Sequence, residues 1–387
     1  MYQRNIPVLY VVKFLSGLHF FGGVLIPFFT QWAKISNSEV FLIQAWFIFW
    51  AALLEVPTGA VADRFGRKIS IISGLVVASI GFLIYPILPK LWIFLLAEFL
   101  IACGIALVSG ADRSLTYATL KRLGRENEKT RLFGRIRSIQ LIGILIAAPV
   151  GSLMATHIDM RIPTLATGLM FFVSSGVALL LKEPNSYVIK SYLEILKVGA
   201  TLIWSEKRVR YITVDYVVVH AISFMMIWMS QLLYFSVGIP VVLFGILFSI
   251  TILAETTVTL LIHRIEEVFG FFSTVRTSAY LTALGFGFAA YGLFTQNSIL
   301  MFVGVIVVVA IGLGRQPLLT AELNAHFTED ESSTSNSTLE LLRRGVEMFL
   351  YLFISYGVTH SMVNVLIVFG LAIILFSLWS PIQRKMY

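Results

Sequence analysis

The chain has 387 residues, of which 58% are hydrophobic and only 13% charged, with a formal net charge of +8. A soluble domain carries about 25% charged and about 45–50% apolar residues, and a mean hydropathy of +0.87 leaves more apolar surface than a water-exposed fold of this length can hide. This excludes an ordinary soluble enzyme and a disordered chain. The basic excess reads as the Lys and Arg of cytoplasmic loops, so no nucleic-acid partner is expected.

Apolar runs of about 20 residues, the length that crosses a bilayer, fall near 6–30, 40–61, 69–89, 91–113, 136–156 and 162–181. A polar stretch follows, and then runs near 211–235, 240–262, 272–294, 298–321, 338–359 and 361–380. The first run is apolar for too long, and lacks the small-residue cleavage site, to be a removable signal; it is expected to span. The expected fold is an all-α membrane protein of twelve transmembrane helices in two pseudo-symmetric six-helix bundles, residues 1–181 and 211–387. A cytoplasmic linker, 182–210, joins them. Within it Tyr187–Trp204 reads as an amphipathic helix lying on the inner membrane face. The single cysteine, Cys103, has no partner for a disulfide.

Loop charges orient the spans. Arg64, Arg67 and Lys68 lie between spans two and three, a cluster from Lys121 to Arg137 between four and five, and six more basic residues in the linker. The opposite loops carry only Lys34, Lys90 and Arg161. Both termini are therefore expected on the cytoplasmic side of a prokaryotic plasma membrane.

The halves repeat weakly. GAVADRFGRK (59–68) answers to TLLIHRIEEVFG (259–270), setting Asp63–Arg64 against His263–Arg264, and SGADR ending at Arg113 answers to IGLGR ending at Arg315. Repeated halves with a binding site between them are a property of secondary transporters.

Gly59-Ala-Val-Ala-Asp63-Arg64-Phe-Gly66-Arg67-Lys68 resembles the signature loop of the major facilitator superfamily, G-x-x-x-D-R-x-G-R-K, at every fixed position and between the spans where that family carries it. The resemblance implies twelve helices, alternating access, and a loop that latches the halves on the cytoplasmic side. Gly59, Asp63, Arg64, Gly66, Arg67 and Lys68 would belong to that gate, with Glu55 just ahead of them. Arg113 stands at the corresponding end of span four. Two readings are open for span eleven. Either Glu340–Arg344 and Arg343–Glu347 satisfy each other as i,i+4 pairs, or Arg343 bridges to Glu322 across the gate as Arg137 does to Asp112. The motifs of drug–proton antiporters match only in part: Glu98 stands where their fourth span has arginine, and Ala148-Pro149-Val150-Gly151-Ser152 loosely follows their fifth-span pattern.

Ionisable residues inside spans are expensive and tend to be functional. Glu98 lies roughly 12 Å along span four at 1.5 Å per residue. Ala102, Ile105, Ser109 and Asp112 follow on the same helical face, a stripe suited to a cavity wall with an acid at each end. Glu98 is the residue type a proton carrier needs, or it is permanently paired. Lys13 is expected to snorkel to the interface, His19 and His220 to be packed or ligand-facing, and Asp215 to meet a linker arginine. Glu255, with Thr259 one turn on, completes the proton or substrate candidates.

No phosphate-binding loop, metalloprotease helix or serine-hydrolase elbow occurs. No enzyme activity, cofactor or metal is expected, and the energy source is a gradient. The expected function is a monomeric transporter that exports a small hydrophobic or weakly polar solute against protons. The alternative is a lipid or lipid-conjugate translocator, for which Phe-rich spans (31 Phe) are suited.

Overall fold

Each of the twelve apolar runs is helical in the computed structural model, which describes residues 2–184, 199–201, 203–204, 206–327 and 329–380. Fourteen helices of nine residues or more occur among the described residues, because two of the spans are broken. They are α1 (Asn5–Gly17), α2 (Asn37–Leu53), α3 (Glu55–Phe65), α4 (Arg67–Ile84), α5 (Leu91–Arg122), α6 (Lys129–His157) and α7 (Ile162–Ala178). The second set is α8 (Lys207–Ser236), α9 (Phe244–Phe269), α10 (Phe271–Phe294), α11 (Ser298–Gly314), α12 (Gln316–Asn324), α13 (Glu329–Gly357) and α14 (Met362–Trp379). Among the described residues eight helical segments are long and apolar enough to cross a membrane, and α2 and α7 are shorter apolar helices. The amphipathic helix expected at 187–204 lies largely outside the described residues.

The breaks have local causes. Pro57 in the first turn of α3 and Pro317 at the start of α12 each lack an N–H, so the carbonyl four residues earlier loses its helical donor. Spans two and ten divide there. Span one stops at Gly17 and continues as single turns, a 3₁₀ turn at Phe20–Gly23 and a π turn at Phe28–Trp32. Irregular backbone is tolerated at membrane depth only where protein satisfies it. Here the Phe21 N–H donates to Thr167 Oγ1 at 3.2 Å, on the helix whose Ser174 Oγ also donates to the Val12 carbonyl inside α1 at 3.0 Å.

The basic loop between spans four and five is mostly helix. α5 runs on to Arg122 and α6 starts at Lys129, which leaves a short turn between them.

The chain divides into two compact units: residues 1–36, 46–190 and 241–246, and residues 37–45, 191–240 and 247–387. The start of α2 belongs to the second unit, where the Ser355 hydroxyl donates to the Ser38 carbonyl at 2.9 Å. The turn before α9 belongs to the first, where the Gly245 N–H donates to Ser152 Oγ at 2.8 Å.

Inside each unit the same neighbours pack. α4 lies on α5 and α7 as α10 lies on α11 and α14, and α1 lies on α6 as α8 lies on α13. Small residues set the closest crossings. A Cβ on Gly74 would stand 2.6 Å from the Gly104 carbonyl, and one on Gly304 at 2.6 Å from that of Gly285.

The turns before α4 and α10 also correspond, and they correct the register of the repeat. Gly66 has φ +95° and Gly270 φ +78°, a left-handed conformation that glycine alone adopts freely. With these two glycines superposed in register, Asp63-Arg64-Phe65-Gly66 answers to Glu267-Val268-Phe269-Gly270, not to the segment around His263.

Outward faces are apolar: Leu260, Phe294 and Ile299 are each more than 70% exposed. Such a surface belongs in lipid.

Candidate functional site

The buried charges of the first unit lie on α1 and α5. The Lys13 ammonium pairs with the Asp112 carboxylate, and their side chains are 15% and 12% exposed. Lys13 therefore does not snorkel, and Asp112 is taken by Lys13 and not by Arg137. The reason is proximity: α1 crosses α5 at this level, and an uncompensated charge there is costlier than a reach of one side chain. Arg137 is exposed and donates to Gln140 Oε1 at 3.1 Å, and Arg113 is exposed.

Glu98 stands four turns away on α5, 5% exposed. Its Oε1 accepts from the Tyr85 hydroxyl. The Tyr85 ring stacks on Phe94 at 5.8 Å and meets Phe21, Phe28 and Phe29 at 5.4–5.8 Å. The aromatic residues of the irregular end of span one thus pack around the tyrosine that holds this carboxylate. His19 sits at the interruption of that span, edge-on to Phe82 at 5.2 Å. Asn5 secures the other end of α1: its amide donates to Thr119 Oγ1 at 3.0 Å and to the Lys182 carbonyl at 2.8 Å.

In the second unit Asp215 on α8 pairs with Arg315, at the junction of α11 and α12, and both are essentially without exposure. The linker arginine expected for Asp215 is replaced by one from a span, because the Pro317 break turns Arg315 inward. Next to this pair, Gln316 Nε2 donates to the Tyr216 hydroxyl at 3.1 Å.

From Tyr216 an aromatic row runs along α8 at intervals of four residues. Tyr216 stacks on His220 at 5.3 Å, His220 on Phe224 at 6.4 Å, and Phe224 meets Trp228 edge-on at 6.3 Å. Nδ1 of His220 and Nε1 of Trp228 are buried and make no hydrogen bond among the described residues.

Arg343 on α13 lies over the Phe224 ring, 5.6 Å from its centre. It donates to Glu340 Oε2 at 3.1 Å and 2.6 Å from Nε and Nη2, and it pairs with Glu347. Of the two readings of span eleven, the self-satisfied one holds for Arg343–Glu347. Arg343 does not reach Glu322, whose carboxylate pairs with Arg208 at the start of α8. Glu255 is half-buried on α9.

Around the signature loop, Glu183 beyond α7 accepts from the Lys68 N–H at 2.7 Å, a carboxylate at the N-terminus of α4 where the helix dipole favours it. Lys68 Nζ donates to the Leu179 carbonyl at 2.7 Å. Arg64 is exposed and lies over the Phe65 ring; Arg67, Gly66 and Glu55 are half-buried. The side chains at Gly59 and Asp63 lie outside the described residues. Within the first unit the candidates therefore do not form one cluster. There Glu98 and the Lys13–Asp112 pair stand about four turns apart on α5, and the second unit holds the Arg343 group; Tyr85 and Glu183 join the candidates without having been singled out, and Arg315 joins them after being set only as the counterpart of Arg113. Arg315, an arginine ending an apolar run beside a proline, was the detectable signal among these.

The Major Facilitator Superfamily profile matches residues 9–344. The inner membrane protein YqcE of Escherichia coli (strain K12) is 26% identical over 152 residues, 38% of this chain and 35% of that protein. The multidrug resistance protein MdtH of Proteus mirabilis (strain HI4320) is 28% identical over 139 residues, 36% of this chain and 32% of its own. Multidrug resistance protein 2 of Bacillus subtilis (strain 168) is 26% identical over 178 residues, 45% of this chain and 41% of its own. The chain thus spans well under half the length of the curated relatives it matches.

Among solved structures, nucleoside transporter NupG matches at TM-score 0.81 and 15% identity, covering 98% of this chain and 99% of that one. A D-xylose-proton symporter matches at TM-score 0.74 and 14% identity, covering 97% and 96%. At such identities these likenesses establish the fold alone.

Proposed function

The chain belongs to the major facilitator superfamily of secondary transporters, not to an enzyme family, and from that premise we propose that it exports a weakly polar, aromatic-bearing small solute in exchange for protons. Both termini lie on the cytoplasmic side in this reading, residues 1–181 and 211–387 act as the two moving bundles, and the loop from Gly59 to Lys68 is part of the cytoplasmic latch. The observation that carries it is the Glu98 carboxylate, buried and held by the hydroxyl of Tyr85, whose ring is set in an aromatic wall. A mid-span acid in such a setting exchanges its proton only when the wall opens, which couples protonation to conformation. The aromatic row of α8, with its unbonded His220 and Trp228 nitrogens, supplies stacking surface and a few polar contacts, the lining of a site for a largely apolar ligand. The distant likeness to multidrug resistance proteins supports the direction of transport.

The test uses proteoliposomes containing a pH-sensitive dye and a panel of planar aromatic solutes. At least one solute is expected to drive proton movement with the native chain and none with Glu98→Gln, which still carries out solute exchange. Undiminished coupled proton movement in Glu98→Gln rules out this role. Movement of labelled phospholipid in place of any solute would favour a lipid translocator.

A further inference from the structure

A cavity of about 340 Å³ lies where the first turns of α1 meet the turn between α5 and α6. Its lining includes Arg125, Arg131 and Arg135, the carboxylate Glu128, Tyr10, and the apolar Leu120 and Leu132. The two leucines are buried and belong to a small apolar cluster with Ile6.

Arg125 is committed: its Nε and Nη2 donate to the two oxygens of Glu128, each at 2.7 Å. Arg131 and Arg135 form no ion pair or hydrogen bond among the described residues. Yet their charges converge on the cavity. Glu128 is held below the usual carboxylate range first by the hydrogen bonds from Arg125 and then, against the opposing effect of desolvation, by the charges of Arg125, Arg131 and Arg135. Two cations one helical turn apart repel each other, and the single carboxylate leaves both uncompensated.

We propose that this cavity binds a phosphate-bearing anion, with the phosphate group bridging Arg131 and Arg135. Arginine forks match phosphate oxygens in pairs, the Tyr10 hydroxyl can donate to a third oxygen, and the apolar lining accommodates the carbon skeleton esterified to the phosphate. The volume is at the lower end for ligand sites, enough for a headgroup. The anion comes either from an anionic phospholipid, which basic membrane-surface pockets attract, or from solution.

The experiment titrates the purified full chain in neutral detergent with phosphatidylglycerol and, separately, with inorganic phosphate, reading the unfolding temperature and the bound lipid by native mass spectrometry. Phosphatidylglycerol is expected to raise the unfolding temperature of the native chain. Arg131→Gln/Arg135→Gln is expected to bind about thirtyfold more weakly, at roughly one tenfold step per 1.4 kcal/mol for two surface charges. Arg131→Lys/Arg135→Lys, which keeps the charge and loses the fork, is expected to fall between. Lys121→Gln/Lys129→Gln removes the same formal charge from residues that do not line the cavity, and is expected to weaken binding clearly less than the Arg131/Arg135 glutamine variant. Protection by millimolar inorganic phosphate supports the site with a soluble occupant; protection by lipid alone supports it with a headgroup. Equal binding by the Arg131/Arg135 glutamine variant, equal loss in the Lys121/Lys129 variant, or no protection by either anion overturns the proposal.

Discussion

Asp215 on α8 and Arg315 at the end of α11 form an ion pair with side-chain exposures of 0% and 2%. Its counterpart in the first unit is Lys13–Asp112, with the polarity reversed. Lys13 is the ninth residue of α1 and Asp215 the ninth of α8, and each reaches the fourth span of its own unit. The repeat has kept the cross-link and exchanged the signs. Attraction between opposite charges is indifferent to which helix bears which, so the packing of each unit is tied either way.

Breaking such a pair leaves a buried charge without a partner, at a cost of about 3–5 kcal/mol. Asp215→Asn and Arg315→Gln are each expected to lower the unfolding temperature in detergent strongly. Asp215→Leu combined with Arg315→Met should recover most of the loss, because well-packed apolar residues replace buried pairs at little cost. A double variant no more stable than the singles contradicts this account.

At Glu98 two substitutions separate the hydrogen bond from the charge. Tyr85→Phe keeps the ring contacts with Phe21, Phe28, Phe29 and Phe94 and removes the donor to Glu98. It should destabilise the fold by about 1.5–3 kcal/mol, the range for bonds to charged groups. Glu98→Gln keeps an acceptor for that hydroxyl and is expected to be the milder of the two in thermal unfolding, though the more damaging in proton coupling.

Gly66 and Gly270 carry left-handed backbone at matching turns. With ψ of 149° and 155° these positions lie in a region essentially reserved for glycine, and alanine at either is expected to cost about 1–3 kcal/mol. Gly134, in the interior of α6 with nothing near its missing Cβ, supplies the opposite sign: alanine there should stabilise by about 0.5–1 kcal/mol through helix propensity. Thermal unfolding of the three variants side by side checks the ordering.

Along the α8 row, Phe224→Leu and Trp228→Leu remove stacking surface and retain apolar bulk. Aromatic pairing adds about 0.5–1.5 kcal/mol beyond area, so KM for an aromatic solute is expected to rise about three- to tenfold with kcat nearly unchanged. A fall in kcat at constant KM would place the row outside the binding surface.

The Arg125–Glu128 pair has a defined pH dependence. The Glu128 carboxyl is held below the ordinary value of 4.5, first by its hydrogen bonds from Arg125. Its contribution is therefore complete above that ordinary value and is lost as pH falls through the lower, folded one. Carbon-13 titration of a chain labelled at glutamate should place the Glu128 midpoint below that of free glutamate, and Arg125→Gln should move it up.

Much of the architecture was readable from residue order. Twelve runs of bilayer length and the G-x-x-x-D-R-x-G-R-K loop needed only local composition and spacing, and both correspond to helices and a glycine turn in the structure. Less legible was the interruption of span one after Gly17, since its hydropathy is continuous and a satisfying group, Thr167, comes from a helix about 150 residues away. The repeat register slipped for a related reason: His263–Arg264 matched Asp63–Arg64 by residue type, while the turn itself is identified by backbone conformation at Gly66 and Gly270.

Charge partners were the least legible part. Lys13, Asp215 and Glu322 could each be seen as ionisable residues near a membrane, but their partners proved to be Asp112, Arg315 and Arg208, each about 100 residues away along the chain. By itself the sequence determined where the apolar runs lie and which residues are costly to place in lipid, because hydropathy is a local property summed over about 20 residues. Only the tertiary structure decided how those residues are compensated. Electrostatic pairing acts across a few ångströms of space, and distance along the chain carries no record of it.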